Sequence, residues 1–343
     1  MNKKPFLRVI AALVASVLII YLLSLIKTGP SAAADFDCSS DRQAKRVAID
    51  VSTGETGLEI ARELFEKEVT ASSEAFFRLA VSDPKAQLIA PGIHMIDVKI
   101  CARQALDQLL DNKRISGLIA VAEGAWASEV KKLFVEAGYK SAEVNAAFAN
   151  IEVPTPFKKL EGLIFPAQYS FAQGTEVEKA LKVMIDRGIA EVEKSGFLTE
   201  QSKYSPQELL TIASIIQAEG GDGDFTKVSR VIYNRLKIGM PLQMDSTVHY
   251  VMESRGNIFL STKSTLIKSP YNTYRNYGLP PGPIGNPGSE AMKAALSPDP
   301  GDWLYFITVA PQDTRFTTSL KEFNQWKAIY KENLRAGKFE DKQ

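Results

Sequence analysis

The chain has 343 residues, a length typical of about two domains, and its 45% hydrophobic and 24% charged residues are ordinary for a globular protein. A formal net charge of +1 indicates neither a nucleic-acid-binding surface nor an acidic tail. With two His and two Cys at no short spacing, the sequence carries no zinc-site signature, and we expect neither a metal nor an organic cofactor.

The first strong pattern is an apolar segment near the N-terminus. Val9 to Ile26 is uncharged, and its 18 residues cover most of a hydrocarbon core about 30 Å thick. Lys3, Lys4 and Arg8 precede it, which predicts a cytoplasmic N-terminus, a single-pass anchor and an extracytoplasmic remainder. The alternative is a signal peptide cleaved after residues 32–34, but the apolar segment exceeds the usual core of about 7–15 residues.

The two cysteines leave two interpretations open. Disulfides are permitted outside the cytoplasm, and a Cys38–Cys101 bridge would join residues 63 positions apart. The alternative is two unpaired thiols. The sequence does not decide between them because it does not give the distance between the two Cα atoms.

The order of the remaining patterns predicts an α+β fold in four parts. They are a tail and anchor at 1–27, a linker at 28–45, a small α+β module at 46–150 and a larger mixed α+β domain at 151–338. In the module, we predict strands at 46–51, 92–97 and 115–122, and helices at 57–66, 73–80, 101–110 and 127–137.

The larger domain carries sharper helix signals. After an amphipathic run at 174–194, Ser205-Pro206-Gln207-Glu208 is a capping box with Pro at the first helical position, and Gly220-Gly221 ends this helix. Further helices are predicted from Asp224 to Gly239, from about Asp245 to Met252 and at 320–334, and a hairpin at 303–310 and 315–318.

Glu219 is the most informative residue of the sequence. At about 100° per residue it shares a side of its helix with Ile212, Ile215 and Ile216. Burial and the helix C-terminus both disfavour its charged form, which predicts a raised pKa. A protonated carboxyl is what is needed to donate a proton to a glycosidic oxygen. The plain alternative is a solvent-facing Glu at a frayed helix end.

A Gly/Pro-dense loop is the second signal. Eight of the eleven residues from Gly278 to Gly288 are Gly or Pro, and Tyr271-Asn272-Thr273-Tyr274 precedes them. Gly permits close approach of backbone to a ligand, while a rigid packed corner is the alternative. Asp245 is the best candidate for a second carboxylate, and the alternative is that Asp245 or, with more weight, Ser246 is a plain N-cap for the helix through Met252.

Six motifs recur in one order and resemble the endolytic murein transglycosylase (YceG-like) family. They are Ala213-Ser-Ile-Ile-Gln-Ala-Glu219, Val231-Ile-Tyr-Asn-Arg-Leu-Lys-Ile-Gly-Met240, Leu242-Gln-Met-Asp-Ser-Thr-Val248, Tyr271-Asn-Thr-Tyr274, Gly278-Leu-Pro-Pro-Gly-Pro283 and Asn286-Pro-Gly288. The resemblance is strong from about Leu160 to Trp326, while the module before it resembles the family's LysM-like subdomain only weakly.

The resemblance implies a bacterial lytic transglycosylase, a lyase on the outer face of the cytoplasmic membrane. Such an enzyme cuts peptidoglycan glycan strands between N-acetylmuramic acid and N-acetylglucosamine, leaves 1,6-anhydro ends and terminates strand elongation. The implied partners are glycan strands, the membrane and peptidoglycan synthases or division and elongation proteins, without nucleic acid.

The family's catalytic Glu falls on Glu219. The residues that we expect to contact substrate are Asn234, Arg235, Gln243, Asp245, Tyr271, Asn272, Thr273, Tyr274 and Pro281.

Three positions depart from the family pattern. Gln217 stands where a first Glu precedes the catalytic one, Ala167-Gln168 replaces Asp-Thr, and Arg315 replaces a His. Without a helper acid at 217, Glu219 would act alone as acid and then base. A glycoside hydrolase using Asp245 as its second carboxylate is the enzymatic alternative, and a non-catalytic peptidoglycan-binding scaffold is the alternative of another class.

Overall fold

The computed structural model describes residues 33–38, 45–52, 54–171, 174–199, 202–221, 223–255, 260 and 263–339. The chain divides into two compact units, Met1–Ile115 and Ser116–Gln343. The predicted anchor at 9–26 lies outside the described residues. None of the helices in the described ranges is long and apolar enough to cross a membrane.

The N-terminal unit pairs two strands and packs three helices on them. In chain order these are β1 (Arg46–Val51), α1 (Gly57–Glu66), α2 (Ser73–Ser82), β2 (Gly92–Asp97) and α3 (Ala102–Leu109), with 3₁₀ turns at Pro84–Leu88 and Asn112–Arg114. The strands are antiparallel, with Arg46 opposite Asp97 and Val51 opposite Gly92. The strand–helix–helix–strand order predicted from periodicity is confirmed.

The core of this unit follows from amphipathic patterning. Ile49 of β1, Leu64 of α1, Phe76 of α2 and Leu106 of α3 are all fully buried. Burial of each such side chain contributes about 1.5–3 kcal/mol. A reciprocal capping box at Thr56 fixes where α1 begins.

Cys38 and Cys101 form a disulfide in the structure, with their Cα atoms 5.1 Å apart. Cys101 is the buried residue immediately before α3. Two further contacts reinforce the bridge: the Asp35 carboxylate accepts from the Ala102 amide at 3.1 Å, and Gln104 Nε2 donates to the Cys38 carbonyl at 3.0 Å. Residues 33–38 are therefore tied to the N-terminus of α3.

The C-terminal unit begins before the predicted domain boundary. It opens with β3 (Leu118–Ala120), α4 (Ala127–Glu136), α5 (Ser141–Asn150), β4 (Gln168–Ser170) and α6 (Val177–Ser195). The boundary was predicted at residue 150, whereas the structure groups residues 116–150 with the C-terminal unit. The physical reason is that β3 pairs with β4, placing Ile119 opposite Tyr169, and α5 packs on α6.

The rest of this unit is arranged around one buried helix, α7 (Pro206–Glu219). The remaining elements are α8 (Phe225–Lys237), α9 (Asp245–Met252), a 3₁₀ turn at Ser264–Leu266, α10 (Ser289–Leu296), β5 (Tyr305–Ala310), β6 (Asp313–Thr317) and α11 (Leu320–Arg335). The eight consecutive residues from Leu209 to Ile216 are buried, and α8, α9 and α10 all pack against α7. The two polar members of this stretch, Thr211 and Ser214, donate to the Gln207 and Thr211 carbonyls, so the stretch can be buried on all sides.

The start of α7 matches the sequence signal. The Ser205 hydroxyl accepts from the Glu208 amide at 3.3 Å, and the Glu208 carboxylate accepts from the Ser205 amide at 2.8 Å. The predicted hairpin is present as β5 and β6, which pair antiparallel with Phe306 opposite Phe316. The predicted helix at 320–334 is present as α11.

We expect Cys38→Ala to lower the free energy of unfolding of the N-terminal unit by about 2–4 kcal/mol, because the bridge constrains a long loop in the unfolded chain. Chemical denaturation of the full chain, followed by a probe placed in this unit, measures the loss. Wild type and variant should coincide in excess dithiothreitol. Equal midpoints under oxidising conditions would contradict this prediction.

Candidate active site

Glu219 is the last residue of α7, and its side chain is partly buried. The backbone amide of Ser246, in the first turn of α9, donates to Glu219 Oε1 at 3.0 Å. The carboxyl group therefore lies between the C-terminus of one helix and the N-terminus of another. The first helix disfavours negative charge at this point and the second favours it.

The electrostatic balance at Glu219 favours the protonated acid. Burial is the largest cause and raises the pKa of Glu219 above its ordinary value. Hydrogen bonding from Ser246 acts in the opposite direction, the charge of Asp245 raises the pKa further, and Arg235 lowers it. Glu219 thus holds its proton at a higher pH than an exposed Glu, and a hydrogen-bond donor is in place for the anion.

A cleft of about 330 Å³ contains Glu219. Three carboxylates line it, Glu123, Glu219 and Asp245, together with residues from the loop before α4, from α9 and from the segment that follows α9. The other lining residues are Gly124, Trp126, Gln217, Ala218, Ser246, His249, Ser254, Arg255 and Ile284. The cleft lies wholly within the C-terminal unit. Larger hollows occur elsewhere, but Glu219 lines none of those three.

The Gly/Pro-dense loop forms one side of the cleft by packing on the loop before α4. The Gly124 amide donates to the Asn286 carbonyl at 2.7 Å, and the Asn286 amide donates to the Ala125 carbonyl at 2.9 Å. A Cβ at Gly285 would lie 2.7 Å from the Gly124 carbonyl oxygen, and one at Gly288 would lie 2.1 Å from the Glu123 carboxylate. Glycine is required at position 285 because its neighbour is backbone, whereas a side chain at position 288 would displace the Glu123 carboxylate.

Trp126 and Arg255 form a second side that the sequence analysis missed. The Arg255 guanidinium lies 4.0 Å from the centroid of the Trp126 ring, within cation–π range. Two bonds from Arg255 to Glu129, at 2.6 and 2.8 Å, and one to the Gly124 carbonyl at 2.6 Å hold it there. These residues come from segments 126 positions apart, so no local pattern could have joined them.

Gln217 fills its position with a structural hydrogen bond. Its Oε1 accepts from the Gly288 amide at 2.9 Å, at the residue immediately before α10. Since an amide does not titrate near neutral pH, Gln217 supplies no second acid on α7.

Asp245 is the one substrate-contact candidate among the nine that lines this cleft. The helix begins at Asp245, so neither Asp245 nor Ser246 caps it, and Met244 occupies the capping position. The Tyr274 hydroxyl donates to Asp245 Oδ1. Burial and this carboxylate both raise the pKa of Tyr274, which keeps its phenol protonated.

The other candidates are bonded to the backbone or lie outside the cleft lining. Arg235 is buried and donates to the carbonyls of Leu304 and Leu242. Asn272 is buried and donates to the carbonyls of Thr265 and Ile267 at 3.0 and 2.8 Å.

Thr273 fixes the segment before α9, because its hydroxyl accepts from the Met244 amide at 3.0 Å and its carbonyl accepts from the Gln243 amide at 3.2 Å. Asn234 donates to the Trp303 carbonyl at 3.0 Å and lines a different hollow. Tyr271 packs on Tyr250 with ring centroids 5.2 Å apart. Pro281 and Gln243 are exposed.

The structure also gives the surroundings of the other two departures from the family pattern, at Arg315 and at Ala167-Gln168. Arg315 pairs with Asp313 at 2.7 Å within β6. The Ala167 carbonyl accepts from the Val121 amide at 2.9 Å, and Gln168 is exposed in β4.

Glu161 is a second carboxyl with a perturbed pKa, and the sequence analysis missed it. Burial is the largest cause and raises its pKa to about 7. Its Oε1 accepts from the Ala127 amide at 3.0 Å, and its Oε2 accepts from the Tyr250 hydroxyl at 3.1 Å. A Glu inside the apolar run 160–165 was the signal that could have revealed it.

Comparison with known proteins places these features in a family. The sequence model described as "YceG-like family" matches residues 49–328. The endolytic murein transglycosylase of Bacillus subtilis (strain 168) is 43% identical over 173 residues, which cover 50% of this chain and 48% of that protein. The endolytic murein transglycosylase of Streptococcus pneumoniae serotype 2 (strain D39 / NCTC 7466) is 38% identical over 158 residues, which cover 43% of this chain and 28% of that protein.

The crystal structure of a yceG-like protein from Listeria monocytogenes has a related fold. It matches with a TM-score of 0.54 and 26% identity, covering 82% of this chain and 98% of that chain. The match to the two named transglycosylases spans about half or less of their length. Because the family's sequence model extends over residues 49–328, well over half of the chain, the protein belongs to the YceG-like family.

Proposed function

We propose that the chain is an endolytic lytic transglycosylase, which cleaves peptidoglycan glycan strands between N-acetylmuramic acid and N-acetylglucosamine and leaves 1,6-anhydro ends. The observation that carries the proposal is one carboxyl with a raised pKa, Glu219, in a cleft where Gln217 supplies no helper acid. The names of the two bacterial relatives support the same activity.

In the proposed mechanism, Glu219 first donates its proton to the glycosidic oxygen as the bond to the muramyl anomeric carbon breaks. Glu219 is then a carboxylate, which the Ser246 amide stabilises at 3.0 Å. The C6 hydroxyl of the same muramyl residue attacks the anomeric carbon and gives its proton to Glu219. One carboxyl serves both steps because the nucleophile belongs to the substrate, and the acid is regenerated.

A glycoside hydrolase is the second candidate, and a specific observation favours it. Glu123 and Asp245 line the same cleft as Glu219, and a hydrolase normally uses two carboxyl groups. Against a hydrolase, the Asp245 carboxylate already accepts from the Tyr274 hydroxyl. Also against it, Glu123 makes no hydrogen bond or ion pair within the described residues that would position it for catalysis. The products separate the two candidates, since hydrolysis leaves reducing ends.

We further propose that residues 9–26 anchor the enzyme in the cytoplasmic membrane with the cleft on the extracytoplasmic side. The apolar length and the preceding positive charges support this proposal. From there the enzyme would reach nascent strands beside peptidoglycan synthases or division and elongation proteins. The N-terminal unit, which on this proposal is a LysM-like module, would help to hold the strand. If the protein were only a non-catalytic peptidoglycan-binding scaffold, its function would not depend on Glu219.

We expect Glu219→Gln to lower the rate of glycan cleavage by at least about 10³-fold, because the amide can neither donate nor accept the transferred proton. Mass spectrometry of glycan strands digested by the purified full chain measures 1,6-anhydro ends. Glu193→Gln, an exposed Glu on α6, is the matched control. Full activity of Glu219→Gln would refute the catalytic assignment, and reducing ends from the wild type would establish the hydrolase instead.

The pH dependence follows from the raised pKa of Glu219. Since catalysis begins with the protonated acid, kcat/KM should fall as pH rises through that pKa. Asp245→Asn removes a negative charge that raises the pKa of Glu219. The alkaline limb of the pH profile, where kcat/KM falls as pH rises, should therefore move to lower pH. Profiles of kcat/KM for both proteins measure the shift. An unmoved limb, or one moved to higher pH, would count against this account of the site.

The anchor proposal predicts a difference between cells and purified protein. Replacing residues 1–34 with a cleavable signal should lengthen glycan strands in cells, because the released enzyme no longer stays beside nascent strands. Cleavage by the purified variant should be unchanged. Chromatography of glycan strand lengths measures the cellular effect, and an unaltered length distribution would contradict the anchor's role.

A further inference from the structure

The Glu161 carboxyl takes no part in the proposed proton transfers, yet it lies where three parts of the active-site region meet. The Ala127 amide and the Tyr250 hydroxyl donate to its two oxygens at 3.0 and 3.1 Å. Asn286 Nδ2 lies 3.5 Å from Oε1. All three neighbouring groups are hydrogen-bond donors.

Each donor belongs to an element that builds the cleft. Ala127 follows Trp126 and is the first residue of α4. Tyr250 lies on α9, four residues after Ser246, whose amide donates to Glu219. Asn286 belongs to the Gly/Pro-dense loop. Residues four apart on a helix share a face and move together. The position of Tyr250 therefore constrains the position of Ser246.

We propose that Glu161 is a positioning residue, whose carboxylate holds Tyr250 against the N-terminus of α4 and thereby fixes the turn of α9 that binds Glu219. The inference rests on the proposed function, because it assigns Glu161 a task in the same reaction. Glu161 acts through Tyr250 and touches neither substrate nor the transferred proton.

The chemistry of the site requires a carboxylate at this position. Ionised Glu161 offers only acceptors to its donor neighbours, whereas a protonated carboxyl or a Gln presents a donor to at least one of them. When the proton is on the oxygen that faces Tyr250, the Tyr250 hydroxyl must rotate and accept a hydrogen bond instead of donating one. The interaction that positions α9 then changes. Burial raises the pKa of Glu161 to about 7, and this exchange occurs near neutral pH.

Other charged groups face the same carboxyl from neighbouring elements. Glu129 of α4 raises the pKa of Glu161, and Arg255, after α9, lowers it. Burial, and after it the charge of Glu161, raises the pKa values of Tyr250 and Tyr271, so both phenols stay protonated. Tyr250 is thus a hydroxyl throughout the neutral range and can reverse its direction of donation.

Ionisation of the Glu161 carboxyl in the folded chain lowers the free energy of unfolding. The folded-state pKa of Glu161 lies above its ordinary value of 4.5, so the folded chain binds more protons than the unfolded chain between pH 4.5 and about 7. The contribution of Glu161 to stability is therefore present at low pH and is lost as pH rises through about 7. A residue retained only for stability would be better as Gln, which has no such loss.

The experiment compares wild type, Glu161→Gln, Tyr250→Phe and the double variant as purified full chains. Rates are measured as 1,6-anhydro ends released from peptidoglycan glycan strands between about pH 5 and about pH 9. Each single variant should lower kcat about tenfold at about pH 8 with KM unchanged, because the acid is displaced rather than the substrate lost. The double variant should lose no more than either single variant, because both remove one interaction.

The acid side of the profile provides a readout that a merely structural role would not change. Wild-type kcat should fall as pH drops through about 7, where Glu161 gains a proton. Glu161→Gln should lack this limb and retain the alkaline limb of Glu219. Tyr169→Phe is the matched control, because it removes another buried tyrosine hydroxyl bond, to the Phe165 carbonyl at 2.7 Å. Its kcat should equal the wild-type value.

The outcomes separate this inference from the proposed function. Wild type that releases no anhydro ends refutes the proposed function. In that case the fall of wild-type thermal stability between about pH 5 and about pH 8, which should be smaller in Glu161→Gln because Glu219 alone of the two acids then contributes to it, still tests the Glu161 carboxyl. Active wild type with an unchanged kcat and acid limb in Glu161→Gln overturns the positioning role, as do losses that add in the double variant. Tyr250→Phe is a mild change that keeps this test valid even where Glu161→Gln folds poorly.

Discussion

The site depends on the burial of α7. Eight consecutive side chains of this helix, Leu209 to Ile216, are enclosed by α8, α9 and α10. Glu219 ends the same helix, so this packing sets the position of its partly buried carboxyl. Burial is the largest cause of its raised pKa, and hydrophobic packing of α7 supplies the energy that holds the helix in place.

The N-terminus of α9 complements this arrangement. The Ser246 amide, pointing along a helix N-terminus, favours the anionic form of Glu219, while burial and Asp245 favour the acid. Such opposed effects suit a group that would give up a proton and take one back, since neither state is held too strongly. The position of α9 consequently matters as much as the identity of the acid.

The Gly/Pro-dense loop matches one of the two interpretations that its composition left open. It is a rigid packed corner, because Gly285 lies against the Gly124 backbone at a distance that excludes a Cβ. That packing also brings Glu123 and Trp126 into the cleft lining. Asn286 joins this corner to the segment before β4, since its side-chain oxygen accepts from the Gly162 and Ile164 amides at 3.0 and 2.9 Å.

The sequence alone predicted the elements and the candidate acid. Periodicity located both strands and the helices of the N-terminal unit, the capping box at Ser205 located the start of α7, and an acid on an apolar helix side, together with the ordered motifs around it, made Glu219 the candidate. These signals are local, because they depend on residues within one or two turns.

Tertiary structure decided which distant segments meet: Glu161 with Tyr250, Arg255 with Glu129, Tyr274 with Asp245. It also bonded Arg235, Asn272 and Thr273 to backbone groups and grouped residues 116–150 with the C-terminal unit. Such pairings arise from the packing of whole elements, and a pattern along the chain carries no information about partners tens of residues away.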